Sequence, residues 1–163
     1  MAVALYPGTF DPVTNGHVDI ATRASRIFDS VIVAVYDTPP KGNIVFSTQE
    51  RVALFQESVK HLKNVKVVPF TGLVVHFAKS VGAHVMIRGL RAIGDFEYEF
   101  EMAMMNKRLA PDVESVYMMS TLEWQFLSAS RVKEVVQLGG SIEGLVPEHV
   151  VKALRAKLQN TAR

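Results

Sequence analysis

The residue types best suited to chemistry gather near the N-terminus, in Tyr6-Pro7-Gly8-Thr9-Phe10-Asp11-Pro12-Val13-Thr14-Asn15-Gly16-His17. Gly8 and Gly16 let backbone come close to a bulky ligand. Thr9 and Thr14 add hydroxyl donors, and His17 adds an imidazole able to donate hydrogen bonds. The apolar run Ala2–Tyr6 reads as a buried strand and the amphipathic residues His17–Phe28 as a helix, so the segment joins a strand to a helix N-terminus. Such a terminus carries unpaired N–H groups and about half a positive charge, and it attracts anions. The chemistry suggested is phosphate binding at the end of the first strand. The segment is neither a Walker loop nor a G-x-G-x-x-G fingerprint, so neither mechanism carries over. On these residues alone, a capped turn with a surface histidine stays open.

Further candidates lie downstream. Arg88 and Arg91 flank Gly89 and Leu90, and a guanidinium binds phosphate oxygens in a bidentate fork; pairing with nearby Asp95 or Glu97 is the alternative. Trp124 to Glu134 opens a helix with small hydroxyl residues, Ser128 and Ser130, which offers a second anion-binding terminus or an ordinary cap. Lys41 in a loop and Glu99 in a helix read by themselves as solvated charges, and Leu73 and Val74 as a helix start with core residues. His61, His76, His84 and His149 have no motif around them and no pairwise zinc-ligand spacing.

The elements that must position these residues follow from pattern. Strands are expected at Ala2–Tyr6, Ser30–Tyr36, Val65–Pro69, His84–Ile87 and Glu114–Met119. Helices are expected at His17–Phe28, Arg51–Leu62 after the capping box Ser47–Glu50, Leu73–Val81, Asp95–Leu109, Ser128–Leu138 and from Pro147 to about Leu158. This alternation predicts an α/β fold: a single-domain, Rossmann-like, doubly wound five-stranded parallel sheet with helices on both faces. Ligands in such sheets bind beyond the carboxyl ends of the strands, where strand order reverses. The segments Pro7–His17, Asp37–Phe46, Arg88–Asp95 and Ser120–Ser130 should therefore border one crevice. The helix Asp95–Leu109 is apolar nearly all round, which fits either a central helix or a subunit contact.

Composition narrows the class. The chain has 163 residues, 48% of them apolar and 21% charged, no cysteine and a net charge of +2. Disulfide frameworks and thiolate chemistry are excluded. The near-neutral charge argues against a nucleic-acid partner, and no apolar run reaches the ~18 residues of a membrane span. With no signal-peptide pattern, a cytoplasmic location is expected.

Gly8-Thr9-Phe10-Asp11-Pro12 followed by Thr14-Asn15-Gly16-His17 resembles the T/H-x-G-H signature of the nucleotidylyltransferase superfamily. The whole stretch, with Arg88-Gly89-Leu90-Arg91 and Asp95-Phe96-Glu97-Tyr98-Glu99, is similar to the bacterial phosphopantetheine adenylyltransferase family. The resemblance extends from Tyr6 into the last helix. It implies one nucleotidylyltransferase domain over residues 1–163 that joins 4′-phosphopantetheine to the AMP part of ATP, yielding 3′-dephospho-CoA and pyrophosphate. It implies catalytic roles for His17, Lys41, Arg88 and Arg91. It places ATP against Thr9, Phe10, His17, Gly89, Leu90, Arg91, Glu99, Trp124, Gln125, Phe126, Leu127, Ser128, Ala129 and Ser130. It places phosphopantetheine against Thr9, Lys41, Leu73, Val74 and Arg88. No resident metal is implied; Mg²⁺ arrives with ATP, coenzyme A or its precursor acts as product or regulator, and the assembly is a homohexamer. Ala129 stands where the family carries a serine, and the Lys41 loop is slightly longer than usual. The alternatives are a related nucleotidylyltransferase with another phosphate substrate and an ATP-sensing module without turnover.

Overall fold

A computed structural model describes residues 1–39, 43–91 and 93–159. The β-branched and apolar runs form five strands: β1 Val3–Gly8, β2 Ser30–Tyr36, β3 Val65–Phe70, β4 Val85–Leu90 and β5 Glu114–Met119. They make one parallel sheet in the order β3-β2-β1-β4-β5. Alternate residues face opposite sides of a strand, so Ala4, Tyr6, Val31 and Val33 enter one apolar cluster while Leu5, Ala34 and Met86 enter another. The helices are α1 Asn15–Ala24, α2 Thr48–Val59, α3 Val74–Ser80, α4 Ile93–Leu109, α5 Ala129–Gln137 and α6 Glu148–Gln159. Residues of α1, α2, α5 and α6 fill the first cluster, and Val75 and Ala78 of α3 with Ala110 and Val113 beyond α4 fill the second. The doubly wound arrangement read from the sequence is the one observed.

The site arises where the two central strands part. β1 pairs with β2 along its whole length, from Val3↔Ser30 to Gly8↔Val35. With β4 it pairs only at Ala4↔Val85 and Leu5↔Met86. Pro7 has no N–H to continue a ladder, and its carbonyl instead meets Nη1 of Arg88 at 3.4 Å. Chain order also reverses between β1 and β4, so the gap is the switch point at which such sheets bind ligands.

Several boundaries differ from the sequence expectation. β1 runs two residues further, through Pro7 and Gly8, and β4 reaches Leu90, so Arg88 and Gly89 belong to the strand. The helix α1 starts at Asn15 and stops at Ala24, short of Phe28. Pro147 precedes α6, accepting from the N–H groups of Val150 and Val151. A short 3₁₀ turn, Leu122–Trp124, interrupts the segment expected as loop. The central-helix reading of α4 is overturned: Phe96, Tyr98, Phe100, Met104 and Met105 are each at least half exposed. The helical pattern was apolar all round because much of that surface lies uncovered within one chain.

Candidate active site

The first turn of α1 is held by a reciprocal cap. Thr14, in extended conformation, accepts at Oγ1 from the N–H of His17 at 3.3 Å, and the N–H of Thr14 donates to Nδ1 of His17 at 3.1 Å. His17 thus fills the position that Glu or Gln takes in the usual capping box. The cap also fixes the imidazole. A nitrogen that accepts a backbone N–H carries no proton, so the neutral ring bears its hydrogen on Nε2. Burial, with the Arg91 charge as a lesser cause, pulls the pKa of His17 from its ordinary 6.5 to about 4. At neutral pH the side chain is therefore an uncharged donor with one N–H available.

Beneath it the backbone of Phe10 is left-handed, with φ 51°, which bulky residues rarely adopt. This turns the ring inward, 4% exposed, where it packs edge-on against Tyr6, His17 and Phe55 with centroids 5.3, 5.1 and 4.7 Å away. Gly8 makes room: a Cβ there would lie 2.6 Å from the Phe10 ring. Phe10 is the floor of the site, supporting His17 from below.

The arginines enter from the other side of the gap. Arg88 donates from Nε and Nη2 to both oxygens of Glu99, at 2.8 and 2.7 Å. Burial opposes the Arg88 charge, but its hydrogen bonds to Glu99 and the Glu99 charge, with smaller help from Tyr6 and Tyr117, together outweigh burial, and the pKa stands above the ordinary arginine value. Arg91 pairs with Asp95 at 3.1 Å and reaches the Leu127 carbonyl at 3.0 Å. Each fork is thus braced by an acid. Two concave spaces meet here. A crevice of about 370 Å³ is lined by the β1–α1 turn, Ile44, Arg88, Gly89, Arg91, Ser120, Trp124 and the Leu127–Ser130 turn. A neighbouring pocket of about 410 Å³ shares Thr9, Arg88 and Arg91 and extends between α3 and α4, past Val74, Met102, Ala103 and Asn106.

All four loop segments expected to converge do so, and the crevice brings together Thr9, Phe10, His17, Arg88, Gly89, Arg91, Trp124, Leu127, Ser128, Ala129 and Ser130. Ser128 is the N-cap of α5, its Oγ accepting from the Arg131 N–H at 3.2 Å, so this hydroxyl oxygen already serves the cap. Glu99 and Val74 line the second pocket. Leu90 is buried, and Leu73, Gln125 and Phe126 are exposed outside both spaces. Lys41 lies outside the described residues. Lys133 on α5 was not singled out in the sequence. Its ammonium lines the crevice, 3.0 Å from Asp11 and 2.8 Å from the Asn43 carbonyl. Asp11 also takes the N–H groups of Val45 and Phe46, each at 2.9 Å. Only the position of Lys133 one turn into α5, whose N-terminus the sequence offers as an anion site, hinted at it.

Comparison with known proteins shows the family and the fold. The profile of the cytidylyltransferase-like family matches residues 5–135. Phosphopantetheine adenylyltransferase from Roseiflexus sp. (strain RS-1) is 55% identical over 155 residues, covering 95% of this chain and 96% of the relative. The protein of that name from Thermomicrobium roseum is 50% identical over 163 residues, covering 98% and 97%. A crystal structure of a Vibrio parahaemolyticus protein assigned as a nicotinate-nucleotide adenylyltransferase superposes with TM-score 0.68 at 15% identity, covering 94% of this chain and 99% of that one. At that identity it speaks for the fold alone.

Proposed function

The chain belongs to the cytidylyltransferase-like family and, within it, to the phosphopantetheine adenylyltransferases, and from that membership we propose the following chemistry for its crevice. A phosphate oxygen of 4′-phosphopantetheine attacks the α-phosphorus of ATP. The bond from that phosphorus to the bridging oxygen of the β-phosphate breaks, pyrophosphate leaves, and 3′-dephospho-CoA forms. The nucleophile is already an anion, so no covalent enzyme intermediate is needed; the protein supplies alignment and charge neutralisation.

The observation that carries this reading is the neutral, tautomer-fixed His17 beside two braced arginines at the switch point. Its Nε2–H donates to the α-phosphate as charge builds there. Thr9 and Arg88, with Lys41, hold the attacking phosphate. Arg91 and the N-terminal turn of α5 hold the β- and γ-phosphates. In that turn the free backbone N–H groups do the holding, so Ala129 costs the site little. Lys133 adds a cation on the same side. The second pocket receives the pantetheine arm, which explains why it opens from Thr9 and Arg88 and is lined by Val74 and Met102.

We further infer that Mg²⁺ accompanies ATP, held by phosphate oxygens and water; among the described residues no three His, Cys, Asp or Glu side chains gather to hold a metal. The half-exposed apolar surface of α4, including the stacked Phe96 and Phe100, supports self-association. Light scattering should give six times the 18.1 kDa of the chain, and a monomer mass would contradict it. A cytoplasmic location belongs to the same reading; among the described residues no helix is long and apolar enough to cross a membrane. The deciding assay incubates the protein with ATP, Mg²⁺ and phosphopantetheine and follows pyrophosphate and the nucleotide product. Pyrophosphate dependent on phosphopantetheine supports the reading. Turnover only with another phosphate substrate, or ATP binding without release, would replace it with one of the two alternatives.

A further inference from the structure

Arg51 has no part in the chemistry above, yet among the described residues it is the largest of the fully buried side chains, 1% exposed. It stands in the first turns of α2. A guanidinium has five N–H donors, and here each has an acceptor. Nε donates to the Phe46 carbonyl at 3.1 Å. Nη1 donates to the carbonyls of Thr9 at 2.9 Å and Tyr36 at 2.7 Å. Nη2 donates to the Asp37 carbonyl at 3.2 Å and Thr48 Oγ1 at 2.9 Å. None of these bonds goes to a carboxylate. Burying a cation is costly, and packed apolar side chains of similar volume serve stability as well or better. Its value to the protein must therefore lie in what it holds.

The acceptors come from three segments that meet at the site: the turn after β1, the end of β2 and the run into α2. The Thr9 carbonyl is the telling one. It belongs to the peptide linking Thr9 to Phe10, the residue in left-handed conformation. Fixing that carbonyl fixes the plane on which the Phe10 ring turns inward, and the Phe10 ring abuts His17. Thr9 itself borders both the crevice and the second pocket.

We propose that Arg51 is a positioning residue for adenylyl transfer: by gripping the Thr9 carbonyl it holds the strained Thr9–Phe10 turn, and through it aligns Thr9 and the imidazole of His17 with the reacting phosphates. The proposal rests on the site reading given above. Arg51→Lys tests it, because the charge stays while at most three donors face five acceptors. Wild type and variant are compared for kcat per ATP-binding site, with sites counted by calorimetric titration of ATP alone, and for the imidazole nitrogen resonances of His17 without ligands. A role confined to stability lowers the number of sites and leaves each remaining site at full speed. The expected result is a fall of about tenfold or more in kcat per site, as misplacement of reacting groups produces. ATP affinity should change by less than about threefold, and the His17 resonances should move. A fall below about threefold per site, or unmoved resonances, overturns the proposal. Should Arg51→Lys not fold, Thr48→Val removes one of the five acceptors, together with the bond the same hydroxyl donates to the Asp37 carbonyl, and is judged on the same resonances, a shift supporting the proposal and no shift overturning it. Failure of the wild type to release pyrophosphate would instead sink the reading of the site, and the resonances still judge Arg51.

Discussion

Lowering the pH from 7 to 5 should destabilise the protein through His17 in a way that one substitution can isolate. The folded chain holds this imidazole neutral, with a pKa of about 4 against 6.5 when free. Between those values the unfolded chain binds more protons than the folded one. The contribution to stability is thus complete above about pH 6.5 and is lost progressively as the pH falls toward about 4. For the two conditions this amounts to about 2 kcal/mol. The comparison is with His17→Gln. Glutamine is also an N3 residue of the capping box, so it can accept the Thr14 N–H while carrying no titrating group. Urea unfolding of both proteins at both pH values gives a double difference in which all other titrating groups cancel. Wild type should lose about 2 kcal/mol more than the variant on acidification. A double difference below about 0.5 kcal/mol would show that His17 is not held neutral, and the tautomer argument built on the cap would fail with it.

Other substitutions test separate parts of the site. His17→Ala should lower kcat by about a hundredfold or more while changing ATP affinity little, since the contact strengthens only in the transition state; turnover within a few-fold of wild type would remove it from the chemistry. Gly8→Ala places a methyl 2.6 Å from a ring that is itself wedged among Tyr6, His17 and Phe55. It should cost about 1–3 kcal/mol in urea unfolding, whereas Gly16→Ala, whose Cβ would lie 3.4 Å from Trp124, should cost less. Lys41→Ala and Arg88→Ala should chiefly raise KM or lower turnover for phosphopantetheine; unchanged kinetics toward that substrate would exclude them from its phosphate.

What could be read in the sequence was what local pattern encodes. The β-branched run Ser30–Tyr36 is a strand at those bounds, and Ser47 and Glu50 form the reciprocal cap their spacing announced. The equivalent cap at Thr14 went unread because a histidine occupies the N3 position. Pro7 and Gly8 suggested a turn, but β2 alone keeps them extended on one side while the gap to β4 opens on the other. The convergence of the four loops was legible through the switch-point rule, and the sequence also offered the Arg91–Asp95 pairing as an alternative. The bracing of Arg88 by Glu99, eleven residues away, was not legible. Lys133 and Arg51 were invisible for a common reason. Their partners include Asp11 and the backbone carbonyls of Thr9, Tyr36 and Asn43, on segments distant in sequence, and no spacing within one segment marks such contacts. For α4, periodicity showed an apolar surface but not what covers it.

If one crevice sets the acceptor phosphate in line with the α-phosphorus, transfer is a single direct displacement. Running the reaction with ATP made chiral at the α-phosphorus by isotopic or sulfur substitution tests this. Inversion of configuration in the dephospho-CoA formed is the expected result. Retention would require a second displacement through an enzyme-bound adenylyl group and would contradict it.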